Sequence, residues 1–283
     1  MKNILYNVVK FLSHYSEAIT VRLSHFREKI DLEIKGRRFP SHTNRSIWKE
    51  PSEIADYIDL NVFFNQDEKI TLIDVGGNVG KFTKGFIKHF PNTEAHIFEP
   101  VSSTFSVLES EVGNYAKCYQ IALSNSTGNA KIWVDSDHTL NSLEEYTDTT
   151  NLLYSKEYKN SEVIEIAKLD DFDISLEDKV MLKIDVQGHE VEMLQGATSA
   201  LKKVDVVLAE LTFAPEYTNK SPSFSASCRI LEEAGLYPII FQSYGGRHLS
   251  NYGFERDVIF VRDNLLEHIW KSRINLAPYD MLV

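Results

Sequence analysis

Asp74-Val75-Gly76-Gly77-Asn78-Val79-Gly80 packs an acid and three glycines into seven residues, directly after the apolar run Ile70–Ile73. Glycines at such a point let the chain turn with positive φ and bring backbone close to a ligand without a Cβ in the way. The helix expected next has Val79, Phe82, Phe86 and Phe90 inward and Lys81, Lys84 and Lys88 outward. Its N-terminus would offer free N–H groups and a positive dipole end to a carboxylate or phosphate. A lone glycine cluster serves a packed turn equally well. Glu99, however, stands 19 residues after Gly80, at the end of the apolar run His96-Ile97-Phe98. An acid at that place and spacing accepts the ribose hydroxyls of a nucleoside, with Pro100 beside it. The pair of signals points to nucleoside binding.

The dinucleotide fingerprint G-x-G-x-x-G fails here, because Asn78 stands where its second glycine belongs. A nicotinamide oxidoreductase is therefore disfavoured. Asp74 and the glycine turn instead suit the amino and carboxylate ends of a methionine moiety, with Glu99 on the ribose. S-adenosylmethionine combines those groups.

A second set of residues suits proton removal. Asp185 and Glu210 are expected to end the fourth and fifth strands, so both point at the crevice above the strands' carboxyl ends. His189, four residues after Asp185, is of a residue type that often serves as a base and competes with Asp185 for that role. It suits equally well the capping of the helix that follows. Asp185, Glu210 and Asp257 have the oxygen ligands a divalent ion needs, but no ligand-spacing motif accompanies them, and no metal is expected.

The elements that must position these residues alternate. Strands are expected at Ile70–Val75, Ala95–Phe98, Cys118–Ala122, Val180–Ile184, Val204–Ala209, Tyr237–Phe241 and Val258–Arg262. Helices fit at about 52–64, after the glycine turn, and at 103–112, 189–201 and 223–234. Such alternation predicts an α/β fold with a mostly parallel sheet covered on both faces. No helix fits between the last two strands, so they form an antiparallel hairpin at the sheet edge. The polar stretch 135–162 interrupts the pattern and reads as a lid or insertion, with short helices at Ser142–Tyr146 and Leu152–Tyr158.

The chain of 283 residues has a net charge of −11, which argues against nucleic-acid partners. Its two cysteines, Cys118 and Cys228, make no disulfide framework or zinc cluster, which suits the cytoplasm. Residues 1–50 run against the overall charge, with ten Lys/Arg and five Asp/Glu. Ile4, Leu5, Val8, Phe11, Leu12, Tyr15 and Ile19 have a helical period, so this segment reads as a basic amphipathic extension before a main domain at 51–283. It suits packing on the main domain, a homodimer contact, or the inner face of a membrane. No apolar run is long enough to span one, and no clear cleavage site marks a signal peptide.

The runs LIDVGGNVGKFT (72–83), IFEP (97–100), IALSNSTGNAKIWV (121–134) and above all KIDVQGHEVEMLQGA (183–197) resemble the FkbM family of S-adenosylmethionine-dependent methyltransferases. Gln187 stands where the family often has Glu. The resemblance implies the seven-stranded Rossmann-like methyltransferase fold and O-methylation of sugars, polyketides and other secondary metabolites. It implies that Asp74, Gly76, Asn78 and Gly80 line the methionine and ribose side, with Gly77 in the turn and Glu99 on the ribose. It further implies that Ala122, Leu123 and Ser124 flank the adenine and that Asn141 and Ser142 lie at the pocket edge. A glycan or small-molecule acceptor is expected. The rival from another class is a non-catalytic module that keeps the fold and partners another enzyme.

Overall fold

The computed structural model describes residues 60–135, 138, 141–148, 160–241 and 255–266. The expected extension at 1–50, most of the helix at 52–64 and the short helix at Leu152–Tyr158 lie outside those residues.

Seven of the described strands form one sheet. They are β1 (Ile70–Val75), β2 (Thr93–Phe98), β3 (Lys117–Tyr119), β7 (Lys179–Ile184), β8 (Val206–Thr212), β9 (Leu236–Phe241) and β10 (Glu255–Arg262), in the order β3-β2-β1-β7-β8-β10-β9. All neighbours are parallel except that β10 runs antiparallel to both β8 and β9. The sheet is thus mostly parallel with an antiparallel hairpin at one edge, as the alternating pattern predicts. The order reverses between β1 and β7, which makes that point the natural ligand crevice.

Alternation along each strand assigns the two faces. Ile73, Val75, Leu182, Ile184, Val207 and Ala209 are buried on one face, with Met193 and Leu194 of α3 (Glu190–Gln195) and Leu231 of α4 (Ser223–Glu233). On the other, Ile70, Leu72, Met181, Val206 and Leu208 pack with Phe64 and with Phe82, Phe86 and Phe90 around α1 (Lys81–His89). The second face changes character at its carboxyl end, where Asp74 and Lys183 replace apolar residues directly opposite one another. α2 (Ser102–Val112) packs Leu108 and Val112 onto Ile97.

Three expectations change. Cys118–Ala122 is not one strand: β3 stops at Tyr119, and β4 (Ala122–Leu123) belongs to a second sheet with β5 (Gly128–Val134) and β6 (Asn160–Ala167), in the order β4-β6-β5. The 135–162 stretch therefore ends inside a strand. Its Ser142–Tyr146 portion is extended rather than helical, bridging Trp133 to Ser142 and Tyr146 to Tyr217. The expected helix at 189–201 is cut after Gln195 and resumes as a short 3-10 turn at Ala200–Lys202. A Cβ on Gly196 would lie 1.9 Å from the Ser124 carbonyl oxygen, so the close approach of β4's exit requires a glycine there.

Candidate functional site

A cavity of about 340 Å³ opens over the carboxyl ends of the strands, where β1, β2, β7 and β8 end. Gly76 turns the chain out of β1 with φ +75°, and a Cβ there would sit 1.8 Å from the Asp185 carbonyl oxygen. The loops after β1 and β7 thus meet through bare backbone. Gly76 and Gly77 both donate their N–H to the Phe98 carbonyl, which ties the turn to β2 and leaves the Asn78 N–H for Glu99.

Glu99 is 6% exposed, yet its carboxylate lines the cavity. One oxygen accepts the Asn78 N–H at 3.1 Å, the other the Val101 N–H at 3.0 Å. Each carboxylate oxygen has a second lone pair, so this fixed group still accepts donors from the cavity. Burial pushes it up to about 7, against the pull of those two N–H groups.

Asp74 and Gly80, expected along the methionine and ribose side, do not line the cavity. Asp74 is fully buried; it accepts the Thr83 hydroxyl at 2.7 Å and lies 3.4 Å from Lys183 Nζ. It therefore anchors the start of α1 rather than touching a ligand. Gly80 faces α2, where a Cβ would meet Leu108 at 2.9 Å.

Lys183 is the ionic centre beneath the turn. Its Nζ donates to the Gly76 carbonyl at 3.0 Å and lies 3.4 Å from both Asp74 and Asp185. Burial works against its charge, but the two carboxylates outweigh it and hold the ammonium protonated well above the ordinary lysine range.

Asp185 follows the last residue of β7, whose Ile184 pairs with Ala209 just before Glu210 on β8, and Glu210 is paired with Asp257 on β10. These acids form one cross-strand row on the face that carries Lys183. Gln187 spans the first two, its Nε2 donating to Asp185 at 3.1 Å and to Glu210 at 2.8 Å. Gln187 (φ +49°) and Gly188 (φ +95°) make the tight turn that aims this amide back at the row. A Cβ on Gly188 would meet the Tyr217 ring at 2.5 Å. Burial, then Asp185, Glu255 and Asp257, raise Glu210 well above the usual carboxylate range.

His189 lines the cavity, but both its ring nitrogens are engaged. Nδ1 lies 2.8 Å from Glu144 and Nε2 2.9 Å from the Ser124 hydroxyl. Lys220 Nζ joins Glu144 at 2.8 Å and Glu192 at 2.5 Å. Among the described residues, Glu144, His189 and Glu192 are a group whose metal-ligating atoms converge, and the Lys220 ammonium already supplies a cation to both carboxylates. The geometry makes His189 a latch joining four chain segments. Asp185, Glu210 and Asp257 do not converge into such a group.

On the opposite wall, Ala122, Leu123, Pro100 and Asn141 line the cavity together with Phe98, Ile121, Ile132 and Leu143. Ser124 and Ser142 do not: Ser124 holds His189, and Ser142 donates its hydroxyl to the Gln187 carbonyl at 2.5 Å. Asn141 accepts the Asp135 N–H at 3.0 Å. The wall is apolar beside Glu99, the setting a flat base beside a hydrogen-bonded ribose requires. Sequence reasoning pairs Lys183 with an acid but missed that it joins two acids and the Gly76 carbonyl, and it missed Gln187 as the bridge and Glu144 as the partner of His189.

The buried acids have a consequence for stability. Burial pushes Glu190 up to about 7 against the Gly188 N–H, and burial with Asp185 pushes Asp257 up to about 7. With Glu99, these groups bind protons more tightly folded than unfolded, so their contribution falls as pH rises from the ordinary carboxylate range through neutrality. Glu210, also raised above the usual carboxylate range, acts in the same direction, and His96, pushed down by burial, opposes them as one group against four. The ligand-free protein should therefore melt at a higher temperature near pH ~5.5 than near pH ~7.5. Calorimetric scans at the two pH values check this; an equal or lower melting point on the acid side contradicts it.

Residues 74–236 match the model of the methyltransferase FkbM domain. A hexuronic acid methyltransferase, AglP of Haloferax volcanii, is 26% identical over 213 residues, 72% of this chain and 83% of that protein. The methyltransferase FkbM structure from Methylobacillus flagellatus KT is 13% identical with a TM-score of 0.44, covering 70% of this chain and 44% of that one. This chain thus spans less than half the length of that structure. Aeropyrum pernix fibrillarin, solved with natively bound S-adenosyl-L-methionine, is 11% identical with a TM-score of 0.37, covering 70% of this chain and 69% of that one. No described helix is long and apolar enough to cross a membrane.

Proposed function

Because the chain belongs to the FkbM methyltransferase family, whose domain it carries at residues 74–236, we propose that it transfers the methyl group of S-adenosylmethionine to a hydroxyl of a sugar-like acceptor. One observation carries this reading: a single cavity joins the glycine turn and Glu99 to Asp185 and Glu210. The similarity to a hexuronic acid methyltransferase supports a sugar-like acceptor.

The residues present fit the cofactor. Glu99 is a rigid, buried acceptor suited to ribose hydroxyls, and Ala122, Leu123 and Ile132 give an apolar wall for the adenine. Gly76, Gly77, Asn78 and Asp185 line the part of the cavity that would take the methionine chain. When bound, S-adenosylmethionine supplies an electrophilic methyl on a sulfonium, so the protein's task is alignment and proton removal. Alignment of the hydroxyl oxygen alone accounts for roughly 7–11 kcal/mol of barrier in well-oriented systems. Glu210 takes the hydroxyl proton. Its raised position makes it a stronger base than a solvated carboxylate, and Gln187 holds it toward Asp185. Asp185 is fixed by Lys183 and Gln187 at the junction of the cofactor and acceptor ends. His189 is a positioning residue, keeping the Glu144 segment closed over the cavity.

The test is release of S-adenosylhomocysteine from S-adenosylmethionine in the presence of a panel of glycosides. Release that depends on a hydroxylated glycoside supports the reading. Cofactor binding without turnover on any hydroxylated acceptor favours a non-catalytic module.

A further inference from the structure

Ser142 stands outside the cavity, yet its side chain holds the peptide from which Gln187 reaches the two acids. It is 1% exposed, and its backbone N–H and C=O both pair with Trp133 of β5. The hydroxyl oxygen accepts the Glu144 N–H at 2.9 Å, and the hydroxyl's one proton goes to the Gln187 carbonyl. The N–H of that same peptide, on Gly188, donates to Glu190 Oε1 at 2.8 Å. Ser142 and Glu190 thus grip one peptide unit from both ends. Gln187 needs the grip, because its φ of +49° is a conformation that a residue with a Cβ keeps only where its surroundings impose it. The direction of its side chain follows from that backbone, and one Nε2 has to serve Asp185 and Glu210 together. A continuous run of hydrogen bonds therefore leads from β5 in the second sheet to the carboxylates at the exit of β7 and on β8.

We propose that Ser142 is a positioning residue for methyl transfer, acting on Glu210 through the Gln187–Gly188 peptide. This rests on the reading of Glu210 as the base and adds that proton removal depends on Ser142 being seated against β5. Without the hydroxyl the 141–148 segment keeps its other ties: Glu144 to His189 and Lys220, the Thr147 N–H to the Glu216 carbonyl, and the Thr218 N–H to the Glu145 carbonyl. Ser142→Ala therefore loosens the peptide while the segment stays in place. The charges acting on Glu210 come from Asp185, Glu255, Asp257 and Glu190, with Lys183 3.4 Å from Asp185. The substitution removes none of them.

The experiment follows the Gln187 side-chain amide and the Glu210 carboxyl by NMR in the full chain without ligand, for the wild type, Ser142→Ala, Gln187→Ala and the double variant. A donor on the Glu210 carboxylate favours its charged form, so loosening Gln187 raises the Glu210 titration midpoint. The expected rise in Ser142→Ala is about 0.5–1 in pH, the partial loss of one hydrogen bond, with the Gln187 amide resonances moving toward those of a solvent-exposed glutamine. In the Gln187→Ala background the same substitution should move the midpoint by less than about 0.3. Ser142→Cys, a weaker donor of similar size, should give a smaller rise of the same sign, and it replaces the alanine variant if that one does not fold. Once an acceptor is in hand, Ser142→Ala should lower kcat about 3- to 10-fold while the acceptor KM stays within about twofold. A Glu210 midpoint and a Gln187 amide left unmoved, a rise of equal size in the Gln187→Ala background, or an unchanged kcat overturns the proposal. The NMR readouts need neither cofactor nor acceptor. A wild type without turnover thus counts against the methyltransferase reading, while the titrations still decide the link from Ser142 to Glu210.

Discussion

Glu210→Gln should lower turnover about 10²- to 10⁴-fold, the usual contribution of a positioned general base, while S-adenosylhomocysteine affinity stays within about twofold because the side chain lies beyond the cofactor end. The amide keeps the size of the carboxylate but cannot take a proton. The pH profile gives a second readout. Glu210 is raised by burial and by Asp185, Glu255 and Asp257. Its basic form is lost as pH falls through that raised position, so wild-type activity should climb with pH along a limb displaced above the ordinary carboxylate range. The residual activity of the variant should lack that climb. A variant retaining more than about a tenth of wild-type turnover would move the proton to another group, with Asp185 next in line.

Lys183→Met should destabilise the fold by about 3–5 kcal/mol, the cost of removing one partner from a buried ionic group. Lys183 is buried between Asp74 and Asp185, and Asp74 is fully enclosed. Without the ammonium, two carboxylates face each other beneath a turn that depends on the Lys183 bond to the Gly76 carbonyl. Adding Asp74→Asn should recover part of the loss, because it removes the charge that Lys183→Met strands. Urea unfolding of the wild type, the two single variants and the double variant measures the coupling. A loss below about 1 kcal/mol for Lys183→Met would show that the triad is solvated and does not brace the site.

Much of this arrangement is legible in the sequence because local rules and the global fold agree. Apolar runs such as Ile70–Ile73 and Val180–Leu182 are buried on both faces, as parallel central strands must be. The glycine turn and Glu99 lie where strand ends and chain order place them. The second sheet is not legible in the same way. β6 mixes Glu162 and Glu165 with Ile164 and a largely exposed Val163, and β5 opens on Gly128-Asn129, so their composition reads as loop. Their strand character comes from pairing with each other, which no local window contains. The roles inside the site were hidden for a related reason. Asp74 reads as a ligand-binding acid until Thr83 and Lys183 are seen on it. His189 reads as a base until Glu144 and Ser124, 45 and 65 residues away in the chain, occupy its two nitrogens. Sequence order shows that an acid or histidine is present at a strand end; only packing shows which partners claim it.

The central claim is that Glu99 and the glycine turn bind S-adenosylmethionine. The most direct test is calorimetric titration of the wild type, Glu99→Ala and Glu99→Gln with S-adenosylmethionine, S-adenosylhomocysteine and NADH. Glu99→Gln keeps an acceptor oxygen in place and controls for loss of the contacts to Asn78 and Val101. The account predicts that the first two ligands bind and NADH does not. It predicts affinity about 10- to 100-fold weaker in Glu99→Ala, as charge-assisted hydrogen bonds to the ribose are lost, and a smaller loss in Glu99→Gln. A folded wild type that binds neither sulfur ligand, or a Glu99→Ala variant that binds them unchanged, would contradict it.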